Sequence, residues 1–343
     1  MNDGAGPLFV ACHIGDKNIA ETLLKNDADI NLCMGNGISP LYIASQRGHE
    51  NIIKLLLDKG AQVNLCNKYN SSPLYAACFW GYCSLAQLLL SKGADINQCL
   101  DDGSSPLHAS CFRGHDSIVQ YLLKNGADLD LCDSDESGPL YRACQFGHKN
   151  TVQLLLHNNA NVNSCTKVGA SPLYGACENG HVDVVTVLIK GGADVNLAVM
   201  DDNSPLLIAC QNGHHTTVQA LLKSGANVNL CNKKGCSPLY AACFKGHETT
   251  VEFLLNKNAD VDICRRNGEG PLYIACQNGH DSIVNYLLDK DSNVNLCTNN
   301  GRSPLYAASF DGHYNTVELL LKNGADINLL TKNGTGPLYA ACE

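Results

Sequence analysis

The sequence predicts an all-α repeat fold, a solenoid of stacked helix-loop-helix units with projecting β-hairpin or finger loops. Three observations predict it: every proline lies 33 residues from the next, a glycine follows the first ten prolines at one fixed distance, and apolar residues recur with helical spacing. Proline fixes φ and removes a backbone donor, so this regularity indicates one supersecondary unit repeated from the same rigid corner. The prolines are Pro7, Pro40, Pro73, Pro106, Pro139, Pro172, Pro205, Pro238, Pro271, Pro304 and Pro337.

A short helix is expected at the start of each repeat. With proline as position 0, Leu occupies +1 in all eleven copies, Tyr occupies +2 in eight, and Gly occupies +8 in all ten complete copies. Proline is favoured in the first turn of a helix, and glycine adopts the positive φ that commonly ends one. We therefore expect a first helix of about seven residues between them.

A second helix is expected after the glycine. An aliphatic residue or Ala occupies +13, Leu occupies +16, and Leu or Ile occupies +17 in every complete repeat. These spacings place the residues on one helical face. Position +20 is Gly, Asn or Asp, which tolerate the left-handed conformation, so the helix should end there.

A finger loop should complete each repeat. The segment Ala-Asp-Val/Ile-Asn-Leu-Cys leads to turns such as Asn36-Gly37 and Asp102-Gly103, and these dipeptides favour tight hairpins. Neither helix could bury its apolar face alone, so neighbouring repeats must stack. We expect residues 1–343 to form a single array of ten complete repeats and a truncated eleventh.

These motifs resemble the ankyrin repeat, whose 33-residue unit carries a T-P-L-H-x-A corner, a G-H between its helices and a G-A-D-V-N finger. The resemblance covers the whole chain, from Gly6-Pro7-Leu8 to Pro337-Leu338-Tyr339-Ala340-Ala341. Three departures recur: Ser or Gly precedes the proline in place of Thr, Tyr mostly replaces His at +2, and Cys replaces the second Ala at +5. In the family, the +2 His links neighbouring corners by hydrogen bonds.

Charge and apolar patterning narrow the range of partners and locations. The chain has 24 basic and 33 acidic residues, a net charge of -9, and no stretch that concentrates Lys or Arg. We therefore expect no nucleic-acid partner. The start of the sequence lacks a secretory signal, and the longest apolar stretches are too short to span a bilayer. We expect an intracellular, cytoplasmic protein with no membrane contact.

Seventeen of the nineteen cysteines follow the repeat, the exceptions being Cys83 and Cys236, and all are expected to be free thiols in a reducing compartment. Those at +5 should be small buried hydrophobes in the first helix. Those at +26 should be more exposed, and a redox role for them stays open. The +5 set is Cys12, Cys78, Cys111, Cys144, Cys177, Cys210, Cys243, Cys276 and Cys342, and the +26 set is Cys33, Cys66, Cys99, Cys132, Cys165, Cys231, Cys264 and Cys297.

No catalytic, cofactor or metal site is expected. Packed helices lie ~8–10 Å apart, so cysteines or histidines in equivalent positions are spread along the array and do not converge on an ion. No zinc-type C-x2-C pair, P-loop or nucleophile elbow occurs, and the H-E-x-x-H metal motif that His247-Glu248 would begin fails because position 251 is Val. We expect a protein that is not an enzyme.

Histidine at +9 and asparagine at +24 are expected to support the loops. The histidines should satisfy backbone groups at the start of the second helix, and the asparagines should bond local backbone in the turn. The family resemblance also implies that asparagines at +24 are targets of an asparaginyl hydroxylase. The candidates are Asn64, Asn97 and Asn229.

The binding surface is expected where the repeats vary most, at +6 and +7. Five of the seven phenylalanines and the only tryptophan fall in these two columns. The family resemblance implies that these positions line a concave, partner-binding groove, and aromatic and Arg side chains suit interface hot spots. The alternative is that the rings lie flat on neighbouring helices and complete the core. The candidates are a primary set of Phe79, Trp80, Phe112, Arg113 and Phe146, and a second set of Phe244, Lys245 and Phe310.

The sequence thus predicts a non-catalytic scaffold that binds another protein through the groove and the finger loops. The alternative is a targeting or regulatory domain of a larger enzyme, ubiquitin-ligase adaptor or channel. This alternative is based on the last repeat, which stops within its first helix and is not followed by a polar capping repeat.

Overall fold

Helices account for the regular structure of residues 5–342, the part of the chain that the computed structural model describes. These residues form two compact units that divide after Lys167. We refer to them as the N-terminal unit and the C-terminal unit.

The N-terminal unit contains five helix pairs. Its helices are α1 (Pro7–Ile14), α2 (Lys17–Lys25), α3 (Pro40–Arg47), α4 (Glu50–Asp58), α5 (Pro73–Trp80), α6 (Cys83–Ser91), α7 (Pro106–Arg113), α8 (Asp116–Lys124), α9 (Pro139–Gln145) and α10 (Lys149–His157).

The C-terminal unit contains five further pairs and one short helix. Its helices are α11 (Pro172–Glu178), α12 (Val182–Lys190), α13 (Pro205–Gln211), α14 (His215–Lys223), α15 (Pro238–Lys245), α16 (Glu248–Leu255), α17 (Pro271–Gln277), α18 (Asp281–Leu288), α19 (Pro304–Phe310), α20 (Tyr314–Lys322) and α21 (Pro337–Ala340).

Stacking within each unit follows the predicted scheme. First helices pack on the first helices of adjacent repeats, and second helices pack on second helices. Between them, the repeated Leu and Ala columns form the core, as shown by Leu74, Ala77 and Leu89, which are fully buried. Burial of this kind stabilises the fold by about 25 cal/mol per Å² of apolar surface removed from water.

The ends of the helices confirm the predicted signals, with one shift. Helix α3 begins at Pro40 and is followed by Gly48 with φ 79°, as predicted. A cap that was not predicted adds to these signals, because the Ser39 Oγ accepts a hydrogen bond from the Tyr42 N–H at 3.1 Å. Second helices end two or three residues before +20, as α4 ends at Asp58. The +20 residue, such as Gly60 with φ 89°, then carries the left-handed turn.

The cysteine prediction holds with one exception. All nineteen cysteines are free thiols, and eight of the nine at +5 are buried. Cys342 is exposed, because it follows the last turn of α21 and no later helix of the described chain packs on it. The buried thiols behave as small apolar side chains, which is what the +5 position requires.

The fingers are hairpin turns in which no strand forms within residues 5–342. In the first finger, the Met34 N–H donates to the Ile38 carbonyl at 3.0 Å, and the Gly37 N–H donates to the Met34 carbonyl at 2.8 Å. The next finger adds one bond, from the Lys68 N–H to the Asn36 carbonyl at 3.0 Å. One backbone hydrogen bond between the tips of adjacent fingers aligns them, but these bonds do not continue into a β-ladder.

Position +2 makes a contact between repeats in both His108 and Tyr42. His108, the one histidine in this column, places Nε2 3.1 Å from the Ser137 carbonyl oxygen of the next repeat. The hydroxyl of Tyr42 reaches the equivalent place, 3.3 Å from the Ser71 Oγ. The longer side chain of Tyr42 therefore makes a contact between repeats similar to that of His108.

Candidate partner-binding groove

The predicted binding residues lie at the C-terminal ends of the first helices, beside the fingers. Positions +2 and +6 are one helical turn apart on the same face, so each first helix presents two side chains to the space under the fingers. Stacking then brings the +6 side chains of neighbouring repeats side by side. This space is a groove in each of the two compact units.

In the N-terminal unit the five residues of the primary set form one continuous cluster, which we call the aromatic patch. The Phe79 ring stacks on Phe112 with centroids 6.1 Å apart, and Phe112 meets Phe146 edge to face at 4.4 Å. Trp80 packs edge to face on Phe79 at 5.5 Å. The Arg113 guanidinium carbon lies 5.0 Å from the centre of the Phe79 ring. Such contacts hold the side chains in place before any partner arrives.

The aromatic patch remains accessible to solvent. Trp80 keeps 46% of its surface exposed and Phe146 keeps 43%, whereas Phe79 and Phe112 are half-buried. Leu74 in the same helix as Trp80 is fully buried. The rings therefore line the groove and are not enclosed by the core, which is an observation against the core-completing alternative.

A cavity of about 290 Å³ lies beside the patch. Its polar wall includes Arg142, whose guanidinium contacts the Asp133 carboxylate at 2.5 Å, with the Asp133 side chain only 5% exposed. Burial raises the pKa of the Tyr75 hydroxyl to about 12, so this wall offers a neutral donor. The lining residues are Tyr75, Phe79, Ser104, His108, Ala109, Phe112 and Arg142.

In the C-terminal unit the second set does not form a single cluster. The Lys245 ammonium lies 5.3 Å from the centre of the Phe244 ring, and both side chains are exposed. Phe310 lies two repeats further on and stacks on Tyr306 of its own helix at 6.3 Å. A cavity of about 350 Å³ is lined by Phe244 and Lys245 but not by Phe310.

The +9 histidines connect repeats, which corrects the prediction that they satisfy the loop before the second helix. Their Nε2 atoms lie 3.0 to 3.2 Å from the +6 carbonyl oxygen of the preceding repeat. A carbonyl only accepts, so each imidazole donates and thereby fixes the end of the helix that carries the +6 groove residue. The histidines are His49, His115, His148, His214, His247 and His313.

The +24 asparagines also connect repeats, so the expected local turn bond was wrong. The Asn64 Oδ1 accepts from the Asp95 N–H at 2.9 Å, and Asn97 and Asn229 accept from Asp128 and Asp260 at 3.0 Å. The local bond is made instead by the residue two places earlier, as the Asp95 carboxylate accepts from the Asn97 N–H at 2.9 Å. The role of these asparagines as hydroxylation sites stays a prediction.

The +26 thiols have an environment that disfavours redox chemistry. Burial raises the pKa of the Cys66 thiol, and the nearby Asp95 carboxylate raises it further. The Cys66 Sγ also donates to the Asn64 carbonyl at 3.4 Å. Reactive cysteines need the opposite, a lowered pKa that favours the thiolate.

The sequence matches the model of a known protein family. The profile described as "Ankyrin repeats (3 copies)" matches residues 8–99, 85–166, 107–199, 173–263 and 257–331. The chain belongs to the ankyrin-repeat family. Ankyrin repeats are generally protein–protein interaction modules. The crystal structure of the human ASB11 ankyrin repeat domain is similar, with 28% identity and a TM-score of 0.59, over 65% of this chain and 99% of that one.

One further comparison found no match, and two kinds of feature were not found among the described residues. No curated protein matches the sequence significantly. Among the described residues, no helix combines the length and the apolar character needed to cross a membrane. No group of three or more His, Cys, Asp or Glu side chains within residues 5–342 is arranged to hold a metal ion.

Sequence reasoning missed the polar wall of the groove, although the ankyrin columns contained a signal for it. Arg142 is the only charged residue at +3, Asp133 is the only acidic residue at +27, and Arg265 is the only basic one at +27. The two positions are close in space, as the ion pair between Arg142 and Asp133 shows. A search for unusual residues in every column would have found all three.

Proposed function

We propose that this ankyrin array is a non-catalytic scaffold that binds another protein through the groove and its fingers, with the aromatic patch as the primary contact. The observation that carries the proposal is a row of touching rings that stays open to solvent. Phe79, Phe112 and Phe146 come from three successive repeats and contact one another in sequence. Exposed apolar clusters of this kind mark interaction sites.

The composition of the patch supports this role. Trp and Arg, represented by Trp80 and Arg113, are among the residues most often found at interface hot spots. Because the rings already contact one another, a partner would lose little free energy in ordering them. Burying these exposed ring surfaces would contribute at about 25 cal/mol per Å².

We also propose an intracellular, cytoplasmic setting and one array over residues 1–343. The free state of all nineteen cysteines supports a reducing compartment. The unbroken proline spacing across both compact units supports one array. Imaging of a fluorescent fusion and limited proteolysis test the two proposals, and secretion of the fusion or rapid cleavage near Lys167 would count against them.

Affinity capture from the source cells tests the proposed function. The intact array is compared with a variant carrying Phe79→Ala, Trp80→Ala and Phe112→Ala, and with Tyr314→Ala as the control. Tyr314 is 75% exposed at the start of α20, away from the groove positions. We expect the triple variant to lose the captured partner and the control to retain it, with circular dichroism showing that both fold. Equal capture by both variants would contradict the proposal.

A further inference from the structure

The groove of the C-terminal unit contains a cavity of about 350 Å³ whose chemistry differs from that of the aromatic patch. Its floor is apolar, with Leu207 and Ala241 buried and Phe244 44% exposed at the rim. Three cationic side chains surround this floor: Lys234, Lys245 and Arg265. We call the site the basic cavity.

Positive charge in the basic cavity is only partly neutralised. None of the described residues that line it is acidic. The Glu269 carboxylate, just outside, pairs with the Arg265 Nη1 at 2.9 Å and accepts from the Tyr240 hydroxyl at 3.2 Å. The ammonium groups of Lys234 and Lys245 are exposed, and the Glu269 carboxylate pairs with Arg265 and not with them. The Arg265 Nε is buried and has no hydrogen-bond partner.

The finger that carries Arg265 also carries Arg266, which is not among the residues that line the cavity. The Arg266 N–H donates to the Lys234 carbonyl at 3.1 Å, which holds these two finger tips together. The Arg266 side chain is exposed. The rim of the cavity therefore presents cations from two neighbouring fingers as well as from the end of α15.

This charge is specific to the site and is not a property of the repeat. In the N-terminal unit the positions equivalent to Lys234 and Arg265 include Asp102 and Asp133. The finger that precedes Lys234 carries Asp201 and Asp202. The whole chain has a net charge of -9, so the basic cavity is a positively charged site on a negatively charged protein.

We propose that the basic cavity binds an acidic side chain, Asp or Glu, in an extended segment of a partner protein, with an adjacent apolar side chain packed on Phe244. This inference rests on the proposed function and specifies the partner chemistry of its second site. Carboxylates form short, charge-assisted hydrogen bonds with Lys and Arg. A nucleic acid would need phosphate contacts along a continuous track. Here the three cations that line the cavity form one local cluster, and the preceding finger is acidic.

Selection from a displayed library of random short peptides tests the proposal. The library is selected on the intact array and, in parallel, on a variant with Lys234→Glu and Lys245→Glu. Both lysines are exposed, so the variant should fold, which circular dichroism checks. We expect peptides selected on the intact array to be enriched in Asp or Glu beside an apolar residue, and this enrichment to disappear on the variant.

Fluorescence anisotropy on the tightest selected peptide completes the test. The affinity of the array for this peptide should fall about tenfold when the array carries Lys234→Glu and Lys245→Glu. A similar loss is expected when Gln or Asn replaces the acidic residues of the peptide. Lys332→Glu, on an exposed finger lysine outside the cavity, should leave the affinity unchanged. A library without acidic enrichment, an affinity unaffected by the double reversal, or tighter binding of an oligouridylate would overturn the proposal.

The variant lacking Phe79, Trp80 and Phe112 separates the two proposals. It should keep its affinity for the acidic peptide, because those residues lie outside the basic cavity. Loss of acidic selectivity with intact capture through the aromatic patch would overturn only the proposed role of the basic cavity. Retained peptide binding without capture through the patch would overturn the patch as the primary site.

Discussion

The Nε2 atom of His148 lies 3.0 Å from the carbonyl oxygen of Phe112. The same imidazole covers Gly114, which ends α7 with φ 70°. A histidine of one repeat thus holds the end of the helix that presents a groove ring in the repeat before it. The stacking of the repeats and the candidate binding surface are therefore coupled through single contacts between neighbouring repeats.

Gly114→Ala should destabilise the protein more than Gly126→Ala. Both glycines have positive φ, so each alanine costs about 1–2 kcal/mol of backbone strain. Only at Gly114 would the new Cβ also meet a neighbour, at 2.4 Å from the His148 Nδ1, whereas Gly126 has open space. Urea denaturation followed by circular dichroism measures the difference, and equal midpoints would show that the histidine contact contributes nothing.

Thr250→Val and Thr151→Val should have opposite effects on stability. Both threonines are fully buried at the same repeat position. The Thr151 Oγ1 donates to the Asp116 Oδ1 at 2.5 Å, whereas the Thr250 Oγ1 has no partner. Removing an unsatisfied buried hydroxyl should stabilise by about 1 kcal/mol, and removing a charge-assisted bond should destabilise by about 1.5–3 kcal/mol. Urea midpoints measure both effects. A loss of stability in both variants would contradict the conclusion that the Thr250 hydroxyl is unsatisfied.

Alkaline pH should weaken the fold through its buried thiols. Burial raises the pKa of Cys78 from 9.0 to about 12, so the folded state keeps a proton that the unfolded state releases. The stabilising contribution is complete below about pH 9 and is lost as pH rises toward 12, by about 1.4 kcal/mol per pH unit for each such thiol. Cys78→Ala should reduce this slope in urea titrations, whereas Cys132→Ala, at an exposed position, should reduce it less. Identical slopes would refute the burial argument.

Hydroxylation at the +24 position should occur at Asn64, Asn97 and Asn229 when the protein is incubated with an asparaginyl hydroxylase. The Asn64 amide bridges two repeats, donating to the Gly93 carbonyl at 3.2 Å and accepting from the Asp95 N–H. A short peptide containing Asn64 should therefore react faster than the folded array. Intact-mass analysis reports added oxygen, with the triple Ala variant as control. An unchanged mass for both substrates would exclude this modification.

The helices and their ends could be predicted because they depend on local chemistry. Pro40 begins α3, Ser39 caps it, and Gly48 ends it with φ 79°, all within one stretch of chain. The core columns followed from the same periodicity. These features need no knowledge of where the next repeat lies.

Contacts between repeats could not be predicted from the local sequence in the same way. The His148 and Asn64 side chains each have two plausible backbone targets, one in the local loop and one in a neighbouring repeat. The choice depends on how closely the repeats stack, which sequence periodicity does not specify. For the same reason, the ion pair between Arg142 and Asp133 became visible only when α9 and the finger were in place.

Photo-crosslinking from the Trp80 position tests the central claim most directly. Benzoylphenylalanine replaces Trp80 in one variant and Tyr314 in another, and each is irradiated in the source cells. We predict a specific protein adduct from the Trp80 position that disappears when Phe79→Ala and Phe112→Ala are added, and no such adduct from the Tyr314 position. The absence of an adduct from the Trp80 position, or the same adduct from both positions, would contradict binding through the aromatic patch.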